Sequence, residues 1–303
     1  MTIINSINDF HQLTGLPDPH HPLISIVNVA DMHLEYVNTW KQFALNFYCI
    51  SLKRNVATKV KYGQQYYDYD KGLMTFIAPR QVQSLDVNTP EELKSAQGNG
   101  LTLLIHPDFL YGHPLATNIN NYKFFSYAVN EALHLSDREE KNIVAIFEKI
   151  NEEHQHIDSH TQDIILSQVG LMLNYSKRFY ERQFITRKTA SHDLLSRMEL
   201  LLNRHFDNEE TLKSGLPTVD YVAGSLNVSA HYLSDMLRSV TGQSAQQHIH
   251  DKLIEKAKEY LSTTGLSVAE IAYQLGFEYP QSFNKLFKKK VLISPLEFRQ
   301  TFN

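Results

Sequence analysis

Five cations, Lys285, Lys288, Lys289, Lys290 and Arg299, stand against the single acid Glu297 between Tyr279 and Asn303. A cluster of this density suits a polyanion, because lysine and arginine gain affinity for phosphates by displacing condensed counterions. Histidine offers a second chemistry. His154, His156 and His160 lie close together, the last two at the i, i+4 spacing of ligands on a helix, but at a polar junction between helices they read as solvated side chains. His20-His21, His106 and His113 read in the same way as loop histidines. A metal-dependent β domain needs several histidines with a carboxylate. Only His33 lies between Leu23 and Ile105, so neither a metal nor a cofactor is expected. Aromatic residues offer a third chemistry. Trp40, Tyr48, Tyr62, Tyr66, Tyr67, Tyr69 and Phe76 crowd into one region, where the competing readings are the lining of an effector cavity and plain strand core. Trp40, Tyr48, Tyr62, Tyr67 and Phe76 are the candidate lining residues.

These groups must be positioned by a chain of 303 residues, a length that favours two domains over one. At 42% hydrophobic and 20% charged, the composition is that of an ordinary globular protein rather than a disordered one. No apolar run approaches the roughly 18 residues of a bilayer span. Met1-Thr2-Ile3-Ile4-Asn5-Ser6 shows neither the cationic start nor the continuous apolar stretch of a secretory signal. A cytoplasmic location without a membrane partner is the expectation. Cys49 is the single cysteine, so no internal disulfide or cysteine-based zinc site is available. The net charge of −4 argues globally against a nucleic-acid protein, but the cations gathered near the carboxyl end weaken that objection.

Residues 23–106 read as short strands separated by turn signals at Tyr62-Gly63, Asp70-Lys71-Gly72 and Gln97-Gly98-Asn99-Gly100. The run Phe43 to Leu52 is apolar in both alternation phases, as for a strand covered on two sides. A sandwich or small barrel is expected, and a small barrel either fills its interior or holds one ligand. The spacing predicts helices over 122–132, 138–150 and 158–184. The last has Ile165, Val169, Met172 and Tyr180 on one line and Ile164, Leu171 and Phe179 off it. Such a helix either lies inside one domain or also meets a partner subunit. Thr186-Arg187-Lys188-Thr189-Ala190-Ser191 is polar and aperiodic, and the domain boundary is expected there.

Beyond it lies an internal repeat. Val219 to Val228 aligns with Val268 to Phe277, and one residue later Leu233 and Leu237 align with Phe283 and Phe287. Each copy meets the needs of a helix-turn-helix: a small residue where two helices cross (Ala223, Ala272) and, four residues on, one that tolerates a left-handed turn (Asn227, Gly276). Ser244 with Gln247 and Ser267 with Glu270 read as capping boxes. The helix between the copies, 245–261, is about 25 Å long at 1.5 Å per residue. A spacer of that size suits two helices entering successive major grooves, roughly 34 Å apart.

The segment 192–301 resembles the AraC/XylS family of bacterial transcription regulators, through Ile271-Ala272, Leu275-Gly276-Phe277, Ser282-Phe283-Asn284-Lys285-Leu286-Phe287-Lys288, and Ser294-Pro295 followed by Phe298-Arg299. The resemblance implies an α+β chain: a cupin-like amino-terminal β-barrel or jelly roll with a helical dimerisation segment, then an all-α domain with two helix-turn-helix motifs. The implied layout is an effector-binding and dimerisation domain over 1–185, a linker over 186–191 and a DNA-binding domain over 192–303, its motifs at about 218–241 and 267–290. The implied function is sequence-specific DNA binding under effector or partner control, without enzyme activity. Implied partners are double-stranded DNA, a second copy of the chain, a small-molecule effector and RNA polymerase. By position, His231, Ser234, Asp235 and Arg238 would meet DNA from the first recognition helix, and Gln281, Ser282, Asn284 and Lys285 from the second, with Lys288 and Lys289 near phosphates. Three residues depart from the family pattern: Leu292 stands in place of a glycine, Asp235 in place of a polar or basic residue, and Lys252 in place of an arginine. The alternatives are a cupin-type small-molecule enzyme with a DNA-binding tail, and a dimeric regulator that needs no ligand.

Overall fold

The computed structural model describes residues 1–34, 36–54, 61–62, 65–66, 72–85, 88–89, 91–93, 98–128, 131–207 and 215–302, with backbone alone at 61–62, 65–66 and 188–189. The chain divides into two compact units, residues 1–183 and 184–303.

The first unit contains strands β1 (Thr2–Ile4), β2 (Ile24–Asn28), β3 (Phe43–Leu45), β4 (Tyr48–Arg54), β5 (Lys61–Tyr62), β6 (Gln65–Tyr66), β7 (Leu73–Ile77), β8 (Val82–Gln83), β9 (Asn99–Ile105) and β10 (Leu133–His134). Its helices are α1 (Ile7–Leu13), α2 (Val37–Lys41), α3 (Leu115–Asn118), α4 (Asp137–His154) and all but the last three residues of α5 (Thr161–Thr186). The strands form a five-stranded antiparallel sheet in the order β10-β7-β4-β9-β2, a three-stranded sheet β1-β3-β8 and the hairpin β5-β6. The described strands form separate sheets and do not close into a barrel.

Strand β4 lies at the centre of the large sheet, and both of its faces are covered. Ile50 and Leu52 point to one side with Met74, Phe76, Leu103 and Ile105, all buried. This side meets the helices: Ser176 of α5 approaches the Met74 sulfur at 3.8 Å, and the buried His154 imidazole of α4 bonds the Ile24 carbonyl at 3.2 Å. Cys49 and Ser51 point the other way with Thr75, Thr102 and Leu104, toward a core holding Ile4, Ile7, Phe10, Trp40, Phe43 and Phe47. Two covered faces erase the one-sided alternation of a half-buried strand, which is why apolar residues fall in both phases.

Three parts of this unit differ from the sequence reading. Strand β1 and helix α1 precede the expected β region, β1 pairing in parallel with β3 and α1 opening on a capping box between Ser6 and Asp9. Where a helix is expected over 122–132, the described residues 122–128 hold a 3-10 turn, Lys123–Ser126, and the short strand β10 begins just beyond the range. Phe124 and Phe125 seat their rings 4.4 and 5.7 Å from Phe76, and Leu133 pairs with Met74, so aromatic burial on the sheet prevails over helical periodicity there. Finally, α5 starts at Thr161, where Asp158 accepts the first backbone N–H groups from His160 and Thr161. Ile165, Val169, Met172 and Tyr180 on α5 are buried, as is Phe179, whereas Ile164 and Leu171 are exposed.

The second unit consists, among the described residues, of seven helices: α6 (Lys188–Asp207), α7 (Val219–Ser225), α8 (Ala230–Thr241), α9 (Ala245–Thr263), α10 (Val268–Gln274), α11 (Pro280–Val291) and α12 (Pro295–Gln300). Residues 186–191, expected to form an aperiodic linker, hold the last residue of α5 and the opening of α6. Along α9, Ile249, Leu253, Ala257 and Leu261 are buried on one line. Among the described residues no helix is long and apolar enough to cross a membrane.

His154 supplies a pH test of the first unit. Burial holds its imidazole below the ordinary histidine value, opposed in part by the bond to the Ile24 carbonyl. The unfolded chain therefore binds the proton more readily, and stability is complete above the ordinary histidine range and lost as pH falls through it. The thermal midpoint of this unit is expected to drop between pH 7 and pH 5, and His154→Gln to flatten that dependence. An unchanged slope in the variant refutes the assignment.

Candidate nucleic-acid interface

The two copies of the repeat fold alike. Thr218 caps α7 and Ser267 caps α10, the latter in a full capping box with Glu270. Ala223 and Ala272 are buried at 2% and 0% exposure, so no larger side chain separates the crossing helices. The turns pass through the left-handed region at Asn227 (φ +58°) and Gly276 (φ +86°). Asparagine carries that strain with least penalty among residues with a Cβ. Gly276 has a second constraint, since a Cβ there would lie 2.8 Å from the Gly215 carbonyl carbon.

The second helix of each motif then begins. Ser229 accepts the Tyr232 N–H at the start of α8, and Pro280 occupies the first turn of α11 in place of a side-chain cap. Leu233 and Leu237 on α8, and Phe283 and Phe287 on α11, are fully buried. Phe283 packs against Phe277 and Phe287 against Phe298, with ring centroids 5.5 and 5.6 Å apart. These anchors turn the remaining faces outward.

On α11, Gln281, Ser282, Asn284, Lys285, Lys288 and Lys289 are all exposed. On α8, His231 and Arg238 are exposed and Ser234 and Asp235 half-buried. Positions i, i+3, i+4 and i+7 share a helix face, so His231, Ser234, Asp235 and Arg238 form one row, and Gln281, Asn284, Lys285 and Lys288 form the equivalent row in the second copy.

The rows differ in charge. Asp235 pairs with Arg238 at 3.2 Å on the same helix, so the first row holds a locally neutralised cation. The second row has no acid. Two members of the basic cluster are engaged elsewhere: Lys290 bonds Asp251 of α9 at 2.6 Å, and the Arg299 guanidinium donates to the Leu261 carbonyl at 3.2 Å near the end of α9. Burial, followed by the Lys290 ammonium, keeps the His250 imidazole below its ordinary value, so this end of α9 adds little further charge. Lys252 is held by Glu255 at 2.9 Å.

A double helix-turn-helix with one outward row of polar and cationic residues per copy is the architecture of a DNA-binding domain. A family model described as a helix-turn-helix domain matches residues 222–301. The carboxyl-terminal segment is thus a helix-turn-helix domain of the AraC type. The chain is 30% identical over 139 residues to the uncharacterized HTH-type transcriptional regulator YfiF of Bacillus subtilis, covering 46% of this chain and 41% of that one. It is 27% identical over 163 residues to the HTH-type transcriptional activator RhaS of Escherichia coli, covering 53% of each. The chain thus spans about half the length of the curated relatives it matches. Among solved structures, the carboxyl-terminal domain of the two-component response regulator yesN from Fusobacterium nucleatum is 35% identical, covering 33% of this chain and 96% of that domain, with a TM-score of 0.29.

The residues named for an effector cavity do not come together. Trp40 packs edge-on against Phe10 and Phe43 in the core between the sheets. Tyr48 and Phe76 lie on the opposite face of the large sheet, beside Phe125 and Phe124, so Trp40 cannot line one cavity with them. Tyr67 and the side chain of Tyr62 lie outside the described residues, as do Tyr69 and the side chain of Tyr66. His154 is buried, whereas His156 and His160 are exposed. Among the described residues no three histidine, cysteine or acidic side chains are grouped as metal ligands. Sequence reasoning missed the hydroxyl pair Ser51 and Thr102, bonded at 2.9 Å inside the first unit. The signal was present in the alternation of Cys49-Ile50-Ser51-Leu52-Lys53, which puts polar groups on one face of an otherwise apolar strand.

Leu292 closes α11 at φ +71°, and Gly242 closes α8 at φ +78°, each donating its N–H four residues back. The turn toward Ser294 is therefore kept, at the cost of a Cβ in the left-handed region. Leu292 is 82% exposed and gives up no packing if trimmed. Leu292→Gly is expected to stabilise the second unit by about 1 kcal/mol, read from its urea midpoint. A lower midpoint would show that the leucine contributes something the left-handed turn does not explain.

Proposed function

We propose that the protein is a sequence-specific DNA-binding regulator in which α8 and α11 read bases and the first unit senses an effector and pairs two copies of the chain. The observation that carries this reading is the repeated row of outward polar residues on α8 and α11. Gln281, Ser282, Asn284 and Lys285 are the base readers of the stronger helix, since amides and lysine match adenine and guanine edges in the major groove. Lys288 and Lys289 contact phosphates, and His231, Ser234 and Arg238 form the weaker row beside Asp235. The first unit, with its two sheets, takes the cupin-like role, and the exposed Ile164 and Leu171 on α5 support a dimer contact. RNA polymerase is the further partner such a regulator would engage. The RhaS relative is named a transcriptional activator, and direct contact with polymerase is one way to activate.

With cations confined to a short row, affinity depends on salt and on two copies binding together. Selection from random DNA with the full chain is expected to enrich a sequence with paired half-sites, and enrichment of none refutes the proposal. On the enriched site, Asn284→Ala or Lys285→Ala should cost about 1 to 3 kcal/mol, with little effect on random DNA. Equal losses on both DNAs would reassign these residues to phosphate contacts.

A further inference from the structure

Asp235 is the single acid in the two outward rows, and Arg238, one turn further along α8, is their single arginine. The arginine donates from Nη1 to the Asp235 carboxylate at 3.2 Å. The carboxylate is the more sheltered partner, its side chain 23% exposed against 52% for Arg238. A short acid therefore lies close to the helix and a longer guanidinium stands beyond it. Among the described residues the Arg238 side chain makes no other hydrogen bond.

A guanidinium carries five N–H donors in a fixed plane. A bond through Nη1 leaves the Nε–Nη2 edge, with its two parallel N–H groups, unused. In the major groove that edge matches O6 and N7 of guanine, and no other base presents two acceptors side by side. An arginine without support must lose rotamer freedom to hold the edge toward one base, and its charge serves a phosphate equally well. A carboxylate on the same helix restricts the plane and offsets that charge. Direct reading of cytosine by Asp235 would need the carboxylate to stand clear of the helix, whereas the guanidinium is the group that does so. Lys285 and Lys288, in the second row, are point charges with no plane to orient.

We propose that Asp235 is a positioning residue that holds the Arg238 guanidinium with its Nε–Nη2 edge outward, so that α8 reads a guanine and gives up attraction to phosphates for base discrimination. The first row is thus the weaker in charge and the stricter in sequence. This deepens the DNA-binding reading of α8 and rests on it.

The test is selection from random DNA with the full chain and with full chains carrying Arg238→Ala, Asp235→Ala, Asp235→Asn or both alanines. The base pair whose preference disappears in Arg238→Ala marks the arginine's contact, and guanine is expected there. Competition between the selected site and the same site with that pair changed to A·T then measures discrimination at fixed salt. Arg238→Ala should reduce it by about tenfold or more, the scale of one bidentate base contact. Asp235→Ala should reduce it by about threefold to tenfold, as expected for a coupled neighbour, while binding to random DNA tightens because an acid has left the row. Damage to α8 would instead weaken both. Asp235→Asn, which keeps an acceptor without the charge, should fall between, and it decides alone if Asp235→Ala loses binding to both DNAs. In a chain already carrying Arg238→Ala, adding Asp235→Ala should remove no further discrimination. Full discrimination in both Asp235 variants, a base other than guanine at the marked pair, or a further loss in the double variant overturns the proposal, the last by making Asp235 a direct reader. An enriched site with no preference that depends on Arg238 overturns it and leaves DNA binding standing, whereas a selection that enriches nothing counts against both.

Discussion

The second unit depends on one close approach of two backbones. Gly276 lies so near Gly215 that a Cβ would sit within 2.8 Å of a carbonyl carbon, and it adopts φ +86° at the same position. Both demands fall on one residue, and only glycine satisfies them together. The turn that follows sets the angle at which α11 leaves α10. That angle sends Phe283 and Phe287 into the core and leaves Asn284, Lys285, Lys288 and Lys289 outside. The first copy meets the conformational demand alone, with Asn227, and has a side chain at that corner. The repeat is thus equal in its dihedral angles and unequal in its packing.

The copies also divide the electrostatic work unequally. Alpha-helical surface pairs such as Asp235 with Arg238 contribute little to stability, but this pair offsets the one cation in its row. The second row keeps Lys285 and Lys288 without an acid between them, while Lys290 and Arg299 are turned to α9. A net charge of −4 for the whole chain therefore says little about the field that either helix presents. Position along the helix matters more than the sum.

Much of this half was legible in the sequence because its signals are local: alanine at the crossing, asparagine or glycine at the turn, serine before each helix and apolar spacings of four. What was illegible required distant partners. Nothing in Tyr122 to Ala132 indicates that Phe124 and Phe125 will lie on Phe76, some fifty residues away in sequence, and helical spacing there was overridden by that contact. Strand β1 depends on β3, and its three residues carry no period of their own. The aromatic residues pointed to a cavity by composition, yet strand register put Trp40 on one side of a sheet and Tyr48 and Phe76 on the other. Register likewise gathers Ser51, Thr75 and Thr102 on the side away from the helices. A list of residue types contains no faces.

The joining helix α9 has a mechanical role beyond spacing. It is one uninterrupted helix of 19 residues, about 28 Å long, with a buried stripe along its length. Lys290, near the end of α11, is clamped to its Asp251, and Arg299 to the carbonyl of Leu261. Such a device behaves as a caliper whose jaws are set once, when the unit folds. On the proposed function, two stretches of duplex would have to present themselves at that gauge, with little tolerance for error in the interval between them.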